Sequence, residues 1–151
     1  MAAFENSVTI QRPIEEVFAY LADFENTPRW NYTIEETRKT SPGPVGVGAT
    51  YRQTRTIPRR SEEMFVIIAF DPVHELAIQG QIGPFRALAS YRLEPAGRAT
   101  RLLNRVDIEP SSVLLRPFAS LATSSVKSAV AQNLDKLKNI LEGGESRIAE
   151  W

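Results

Sequence analysis

The sequence contains no cysteine and only one histidine among its 151 residues. The lack of cysteine excludes disulfides, thiolate zinc sites, iron–sulfur clusters and cysteine nucleophiles. With His74 alone, a multi-histidine metal site is excluded and a Ser-His-Asp triad has one available centre. We therefore expect no metal site and no other cofactor.

The sequence also lacks an excess of charge of either sign, because 18 Lys and Arg residues balance 18 Asp and Glu residues. Without a net positive field, we expect no nucleic-acid partner. No apolar run reaches the roughly 18 residues that a spanning helix needs, and the start MAAFENSVTI has no basic region followed by an apolar core. We expect a cytoplasmic protein that does not insert into membranes.

The chain has the length and hydrophobic content of one folded domain, with 42% of its residues hydrophobic. It contains no internal repeat and no interior linker long enough to divide two domains. We predict a single domain over residues 1–144, followed by a polar tail over residues 145–151.

The hydrophobic period changes along the first two thirds of the chain. Residues 4–11 alternate as a strand does, and residues 13–23 follow the spacing of a short amphipathic helix that begins at a proline. Residues 24–31 are typical of a second helical turn or of a bent connector, since Pro28 argues against a continuation of the first helix. Residues 32–109 then form six strands separated by turn residues, and Gly80 to Pro84 and Pro95-Ala96-Gly97 are predicted as the last two hairpin loops. Strands so close in sequence pair antiparallel.

A long helix is predicted after Pro110. Its first turn contains Pro117, and one apolar stripe runs from Phe118 and Leu121 to Leu141 over about seven turns. Gly143-Gly144 ends the helix. The order of elements indicates an α+β fold in which a seven-stranded antiparallel sheet curls round this helix, since both apolar surfaces must be buried.

Several short motifs, in this order, carry a resemblance to a known superfamily. They are Arg12-Pro13-Ile14-Glu15-Glu16-Val17-Phe18, Asp23 to Trp30, Gly46-Val47-Gly48, Phe70-Asp71-Pro72, Tyr91-Arg92-Leu93-Glu94-Pro95 and Leu134 to Glu142. Together they resemble the START-like (SRPBCC) superfamily of helix-grip proteins, which includes the pollen-allergen type and the polyketide cyclase/dehydrase family.

The resemblance covers residues 4–142 and implies the helix-grip fold. In that fold, a curved seven-stranded antiparallel sheet wraps round a long C-terminal helix, and two short helices lie between the first and second strands. The resemblance also implies a cavity between sheet and helix that usually holds an apolar or amphipathic small molecule. Members include carriers, receptors, cyclases and co-chaperones, so the fold does not decide the function.

Strand alternation predicts which side chains face this cavity. For residues 50–57 and 62–70 the other set of alternate residues could also face inward, because the first segment is largely polar and the second is apolar on both faces. We place Thr50, Arg52, Thr54 and Thr56 on a solvated face. The residues predicted to face inward are Tyr51, Gln53, Arg55, Phe65, Ile67, Leu76, Ile78, Phe85, Ala87, Ala89, Tyr91, Leu93, Thr100, Leu102, Asn104, Val106 and Ile108.

The first half of the long helix is unusually rich in small residues. Nine of the 13 residues from Ala119 to Ala131 are Ala, Ser or Thr, although Ser and Thr are mediocre helix formers. Small residues there leave space for a ligand under the helix. Equally, they let helix and sheet approach closely, or lie in solvent.

The candidate ligand site combines an apolar wall with a few polar groups. Arg55, Tyr51, Tyr91 and Asn104 suit a ligand with a carboxylate, carbonyl or phenol; alternatively, Arg55 lies on the solvent face and the tyrosines pack at the rim. The predicted ligand-binding residues are Trp30, Tyr51, Gln53, Arg55, Phe65, Ile67, Leu76, Ile78, Phe85, Ala89, Tyr91, Leu102, Asn104, Val106, Phe118, Ala122 and Val126.

Other chemical candidates have simpler explanations. Trp30 and Tyr32 lie near the expected entrance, where they gate the cavity or anchor the connector. His74 is interpreted as a surface or rim residue. The consecutive acidic pairs Glu15-Glu16, Glu35-Glu36 and Glu62-Glu63 are expected in solvent, since neighbouring residues do not point at one place. The glycines from Gly43 to Gly48 match no phosphate-binding loop.

The leading hypothesis is a protein that binds a small hydrophobic or amphipathic molecule, such as a lipid, polyketide or aromatic metabolite. The alternatives are a cyclase or dehydratase that uses the same cavity, and a co-chaperone-like interaction module with a collapsed cavity. Either ligand hypothesis leads us to expect a void of at least roughly 300 Å³. A homodimer is compatible with all three hypotheses.

Overall fold

A computed structural model describes residues 2–82, 84–110 and 112–143, except for the side chains of residues 2, 119, 120 and 122. Seven strands form a single antiparallel sheet in the order β1-β7-β6-β5-β4-β3-β2. The strands are β1 Ala2–Ile10, β2 Ile34–Lys39, β3 Thr50–Arg55, β4 Ser61–Asp71, β5 Glu75–Ile82, β6 Phe85–Ala96 and β7 Ala99–Pro110. The predicted seven-stranded antiparallel sheet is confirmed.

The predicted helices are confirmed with small changes of boundary. Helix α1 spans Ile14–Ala22, and a 3-10 turn Phe24–Asn26 leads into α2, Thr27–Trp30. The long helix α3 spans Ala119–Leu141 after a 3-10 helix, Val113–Phe118. Pro117 was expected in the first turn of α3, but it lies in the preceding 3-10 helix.

None of the helices in the described part of the chain is long and apolar enough to cross a bilayer.

The main core lies between the concave face of the sheet and the C-terminal half of α3. Leu134 and Leu137 of the helix are buried in one cluster with Ile10, Leu76 and Leu102 of the sheet. The predicted inward parity is confirmed for β4, where Phe65 and Ile67 are buried while Met64 and Ile68 are exposed. It is confirmed for β7, whose Thr100, Leu102, Asn104, Val106 and Ile108 are all buried.

The N-terminal half of the predicted apolar stripe on α3 is not covered by the sheet. Phe118 is 55% exposed and Leu121 is 71% exposed, so their predicted burial is wrong. The preceding 3-10 helix has no buried residue, and the first buried side chain described on α3 is that of Asn133. The second half of α3 therefore packs on the sheet. Its apolar stripe continues towards the N-terminus, where the sheet does not bury it.

Two further predictions about the strands are corrected. Gly80 was expected to open a loop, but β5 continues to Ile82 and pairs with β6 up to Phe85. Thr54 was placed on a solvated face and is 6% exposed. Its cross-strand neighbours are Glu36 and Glu62, and its Oγ1 donates a hydrogen bond to Glu62 Oε1 at 3.3 Å.

Gly80 is required by close packing and not by a turn. An added Cβ at this position would lie 2.6 Å from the Cβ of Phe65 and 2.7 Å from the carbonyl oxygen of Met64. The backbone of β5 thus approaches β4 too closely for any side chain.

The end of α3 is joined to the end of β1 by a compact polar junction. The Glu142 carboxylate accepts hydrogen bonds from Lys138 Nζ at 2.6 Å and from the Gln11 backbone N–H at 2.7 Å. These two hydrogen bonds lower the pKa of Glu142. Arg12 Nε donates to the carbonyl oxygen of Leu141 at 2.7 Å. Gly143 follows with a φ of 109°, as expected of a helix-ending glycine; Gly144 and the predicted tail lie outside the described residues.

Gly80→Ala is expected to lower the free energy of unfolding by about 1–3 kcal/mol, because the added methyl group overpacks the β4–β5 contact. Chemical denaturation measures the change. Gly46→Ala is the matched control, since its new Cβ would meet nothing within 4 Å. Equal stability of the two variants would contradict the inferred close packing at Gly80.

Candidate functional site

A cavity of about 110 Å³ lies between the concave face of the sheet and α3, and it is partly open to solvent. The sheet supplies most of its wall, α2 closes one end, and Val126 and Val130 of α3 cover it. It is lined by Phe24, Thr27, Trp30, Asn31, Gln53, Arg55, Phe65, Ile78, Gly80, Gln81, Ile82, Ala87, Ala89, Tyr91, Asn104, Val106, Val126 and Val130.

The cavity is smaller than the roughly 300 Å³ expected, so that prediction of size is wrong for this conformation. Three aromatic rings fill the space beside it. Tyr51 stacks on Phe65 with ring centroids 4.9 Å apart, and Phe24 meets both rings edge-on at 5.2 and 5.3 Å. The remaining volume is of the order of the ~150 Å³ apolar cavity that binds benzene in an engineered core.

Ten of the predicted ligand-binding residues line this cavity: Trp30, Gln53, Arg55, Phe65, Ile78, Ala89, Tyr91, Asn104, Val106 and Val126. Four others are buried in the main core outside the cavity wall: Tyr51, Ile67, Leu76 and Leu102. Phe85 packs against a smaller cluster formed by Phe4, Val106 and Ile108. Phe118 is exposed, and the side chain of Ala122 lies outside the described residues.

Some lining residues were not predicted as ligand-binding. Ala87 was already placed on the inward face by alternation, and Val130 belonged to the apolar stripe of α3, so both carried a usable signal. Gly80, Gln81 and Ile82 were missed because the strand was ended too early. For Phe24, Thr27 and Asn31, which depend on how α2 turns over the sheet, the sequence carries no periodic signal.

Gln53 and Arg55 form the polar wall of the cavity, and Arg55 is held there by a buried ion pair with Glu63, which is not among the lining residues. Arg55 Nε lies 2.8 Å from Glu63 Oε2, and their side chains are 11% and 2% exposed. Glu63 also accepts hydrogen bonds from Gln53 Nε2 at 3.0 Å and from Ser61 Oγ at 3.3 Å. The expectation that Glu63 is solvated is therefore wrong. Its alternation with Phe65 on β4 was the signal that places it inward.

The other end of the Arg55 guanidinium is held by the connector after α2. Arg55 Nη1 donates to Thr33 Oγ1 at 3.0 Å, and this hydroxyl donates to Asn31 Oδ1 at 2.6 Å. Asn31 and Thr33 both follow the end of α2. Their hydrogen bonds therefore connect the short helix to the polar wall. Trp30, one residue earlier, is 6% exposed and packs in the core as well as lining the cavity.

Tyr91 and Asn104 face each other across the β6–β7 register and supply polar groups on the opposite wall. Burial raises the pKa of Tyr91 to about 12, so its hydroxyl stays protonated at neutral pH. Asn104 Nδ2 donates to the carbonyl oxygen of Ser90 at 3.2 Å. Asn104 Oδ1 is buried and makes no hydrogen bond within the described residues, an uncompensated acceptor in the cavity wall.

The remaining candidates lie apart from this cavity. Tyr32 is 53% exposed. His74 is 66% exposed beside Asp71, as expected of a surface residue. Two larger depressions, of about 360 and 330 Å³, lie elsewhere; the first includes Arg86 and Glu109 in its lining, and the second includes His74, Asp71 and Arg92. In the ranges that the structure describes, no cluster of His, Asp and Glu is arranged to hold a metal ion.

Comparison with known proteins agrees with this architecture. The family model described as polyketide cyclase / dehydrase and lipid transport matches residues 1–142. No curated protein matches the chain. The fold is similar to that of the Zhui aromatase/cyclase of a Streptomyces species, with a TM-score of 0.78 and 14% identity over 94% of each chain.

Two further solved structures share the fold. A START superfamily protein from Mycobacterium smegmatis has a TM-score of 0.74 and 16% identity, covering 93% of this chain and 97% of its own. A protein from Thermus thermophilus has a TM-score of 0.76 and 15% identity, covering 91% of this chain and 95% of its own. Such identities show a common fold.

Arg55→Met is expected to lower the free energy of unfolding by about 3–5 kcal/mol, because it leaves the buried Glu63 carboxylate without its cation. Chemical denaturation at neutral pH measures the loss. Arg52→Met is the control on the opposite face of β3: its partner, Glu62, is 3.5 Å away and both side chains are more than half exposed. We expect the control to change stability by about 1 kcal/mol or less. Similar losses of stability for Arg55→Met and Arg52→Met would contradict the expected cost of leaving the Glu63 carboxylate buried without its cation.

The raised pKa of Tyr91 predicts a stability change at alkaline pH. The folded protein holds this proton up to about pH 12, whereas the unfolded chain releases it near pH 10. The stabilisation is therefore complete below about pH 10 and is lost as pH rises to about 12. Tyr91→Phe should show a shallower fall in unfolding free energy over this interval, measured by denaturation at several pH values. Parallel curves for the two proteins would contradict a shifted Tyr91.

Proposed function

Because the chain belongs to the polyketide cyclase/dehydrase and lipid transport family, we propose that it binds a small hydrophobic or amphipathic molecule in the cavity between sheet and α3. The observation that carries this proposal is a largely apolar void whose wall contains a guanidinium, a phenol and an amide with an unpaired oxygen. A void of this kind is typical of small-molecule sites, in which apolar area supplies affinity and a few polar groups fix orientation.

The size of the cavity limits the part of a ligand that it encloses. A volume of about 110 Å³ accommodates about one aromatic ring or a similar portion of a longer molecule. The proposed ligand is accordingly an aromatic metabolite, or a lipid or polyketide that inserts one end. A larger enclosed ligand requires α3 and the aromatic cluster of Phe24, Tyr51 and Phe65 to move apart.

A cyclase or dehydratase activity is the second candidate. It is favoured by the presence of Arg55 and of a protonated Tyr91 in the same cavity, since both are hydrogen-bond donors able to polarise a carbonyl. Zhui, a neighbour in fold, is an aromatase/cyclase. If the cavity is catalytic, a bound molecule should be recovered chemically altered, and Tyr91→Phe should stop the change while binding is kept. Recovery of the molecule unchanged supports binding alone.

Val126→Trp is expected to abolish ligand binding, because an indole at this position occupies the cavity. Native mass spectrometry after incubation with a metabolite extract should show a bound mass on the wild-type protein and none on this variant. Leu121→Trp is the control, as this residue of α3 is 71% exposed, and it should retain the bound mass. A wild-type protein that stays empty under these conditions would contradict the proposed function.

A further inference from the structure

We propose that the cavity selects uncharged ligands over carboxylates and that Glu63 is the residue that sets this preference. The inference rests on the proposed ligand-binding function and specifies the chemistry of the ligand. If only the Arg55 guanidinium is considered, a carboxylate, a carbonyl and a phenol all fit the site. The position of Glu63 separates the carboxylate from the other two.

Arg55 is the only charged residue among the described residues that line the cavity. Two of its nitrogen atoms are committed to the protein, Nε to Glu63 and Nη1 to Thr33. No described residue accepts a hydrogen bond from its Nη2 group. Since a guanidinium carries five N–H donors, Arg55 retains donors for an oxygen atom of a ligand.

Glu63 balances the formal charge of Arg55, and both of its carboxylate oxygen atoms accept hydrogen bonds from the protein. Its carboxylate accepts from Arg55, Gln53 and Ser61, and its side chain is only 2% exposed. The polar wall therefore has donors pointing to a ligand but a formal charge of zero. A buried site of this kind resembles a hydrogen-bonding surface more than an anion-binding one.

The consequence follows from the cost of burying charge. A carboxylate that enters this cavity loses its hydration and finds a cation that is already neutralised, so a net negative charge remains in a region of low dielectric. A carbonyl or phenol oxygen has a much smaller desolvation cost and accepts the same hydrogen bond. A cationic ligand meets the mirror-image problem, because the oxygen atoms of Glu63 are occupied.

A neighbouring ion pair shows that discrimination by ligand charge requires a pair on the inner face of the sheet. Arg52, three residues before Arg55 on β3, and Glu62, one residue before Glu63 on β4, form a pair 3.5 Å apart whose side chains are 54% and 61% exposed. Solvent screens that pair, so it imposes no charge requirement on anything nearby. The same residue types thus differ in effect only because alternation buries one pair.

The test compares three single-ring probes of similar shape on the wild-type protein: benzamide, benzoate and the benzamidinium cation. Titration calorimetry at neutral pH measures each dissociation constant. We expect benzamide to bind at least about tenfold more tightly than either ion. Tighter or equal binding of benzoate would overturn the charge selection and leave the proposed binding function in place. Failure of all three probes to bind would contradict the binding function itself.

Glu63→Gln assigns the preference to this residue. The variant leaves Arg55 uncompensated, so benzoate should gain at least about tenfold in affinity while benzamide changes by less than about threefold. Glu62→Gln is the matched control and should leave both dissociation constants unchanged. If Glu63→Gln folds but keeps the wild-type preference, Glu63 does not set it. If the variant does not fold, the wild-type comparison still decides whether the cavity rejects carboxylates.

Discussion

The structure depends on one constraint: the concave face of the sheet and one face of α3 are both apolar and must be buried against each other. Only the second half of the helix satisfies this constraint, through Leu134, Leu137 and Ile140. Towards its N-terminus α3 presents Val126 and Val130, whose side chains are too short to fill the space above the sheet. The cavity is therefore the region where α3 still lies over the sheet but the side chains of the two no longer interdigitate.

The polar wall follows from the same alternation that builds the core. Gln53 and Arg55 continue the inward row of Tyr51 on β3, and Glu63 continues that of Phe65 on β4. Burying two ions is costly unless their charges balance and further hydrogen bonds support the pair. Here the cost is offset by the connector after α2 on one side and by neighbouring strand residues on the other. The short helices thus hold the polar wall as well as closing one end of the sheet.

Much of this fold could be predicted from the sequence, because periodicity and turn residues report local geometry. The number and order of the strands follow from alternation and turn residues, and so does the inward row on β7. Glu63 escaped because it was interpreted as half of an acidic pair, although consecutive strand residues point to opposite faces. Phe118 and Leu121 misled because periodicity reports an apolar face and not the surface that covers it.

The size of the cavity escaped for a different reason. It depends on how Phe24, Tyr51 and Phe65 pack together, and these rings come from three different elements. Gly80 likewise depends on the approach of a neighbouring strand, whereas a glycine in a sequence suggests a turn first. Such features arise from contacts between elements, on which single-sequence patterns carry no information.

The junction between the end of β1 and the end of α3 has a consequence for biosynthesis. β1 pairs with β7, and the Gln11 backbone reaches Glu142, 131 residues later in the sequence. Contacts of such long range close late, because the loop between them must be ordered first. On the ribosome, β1 emerges before its partner β7 has been translated. It therefore stays unpaired until about 100 further residues have been synthesised.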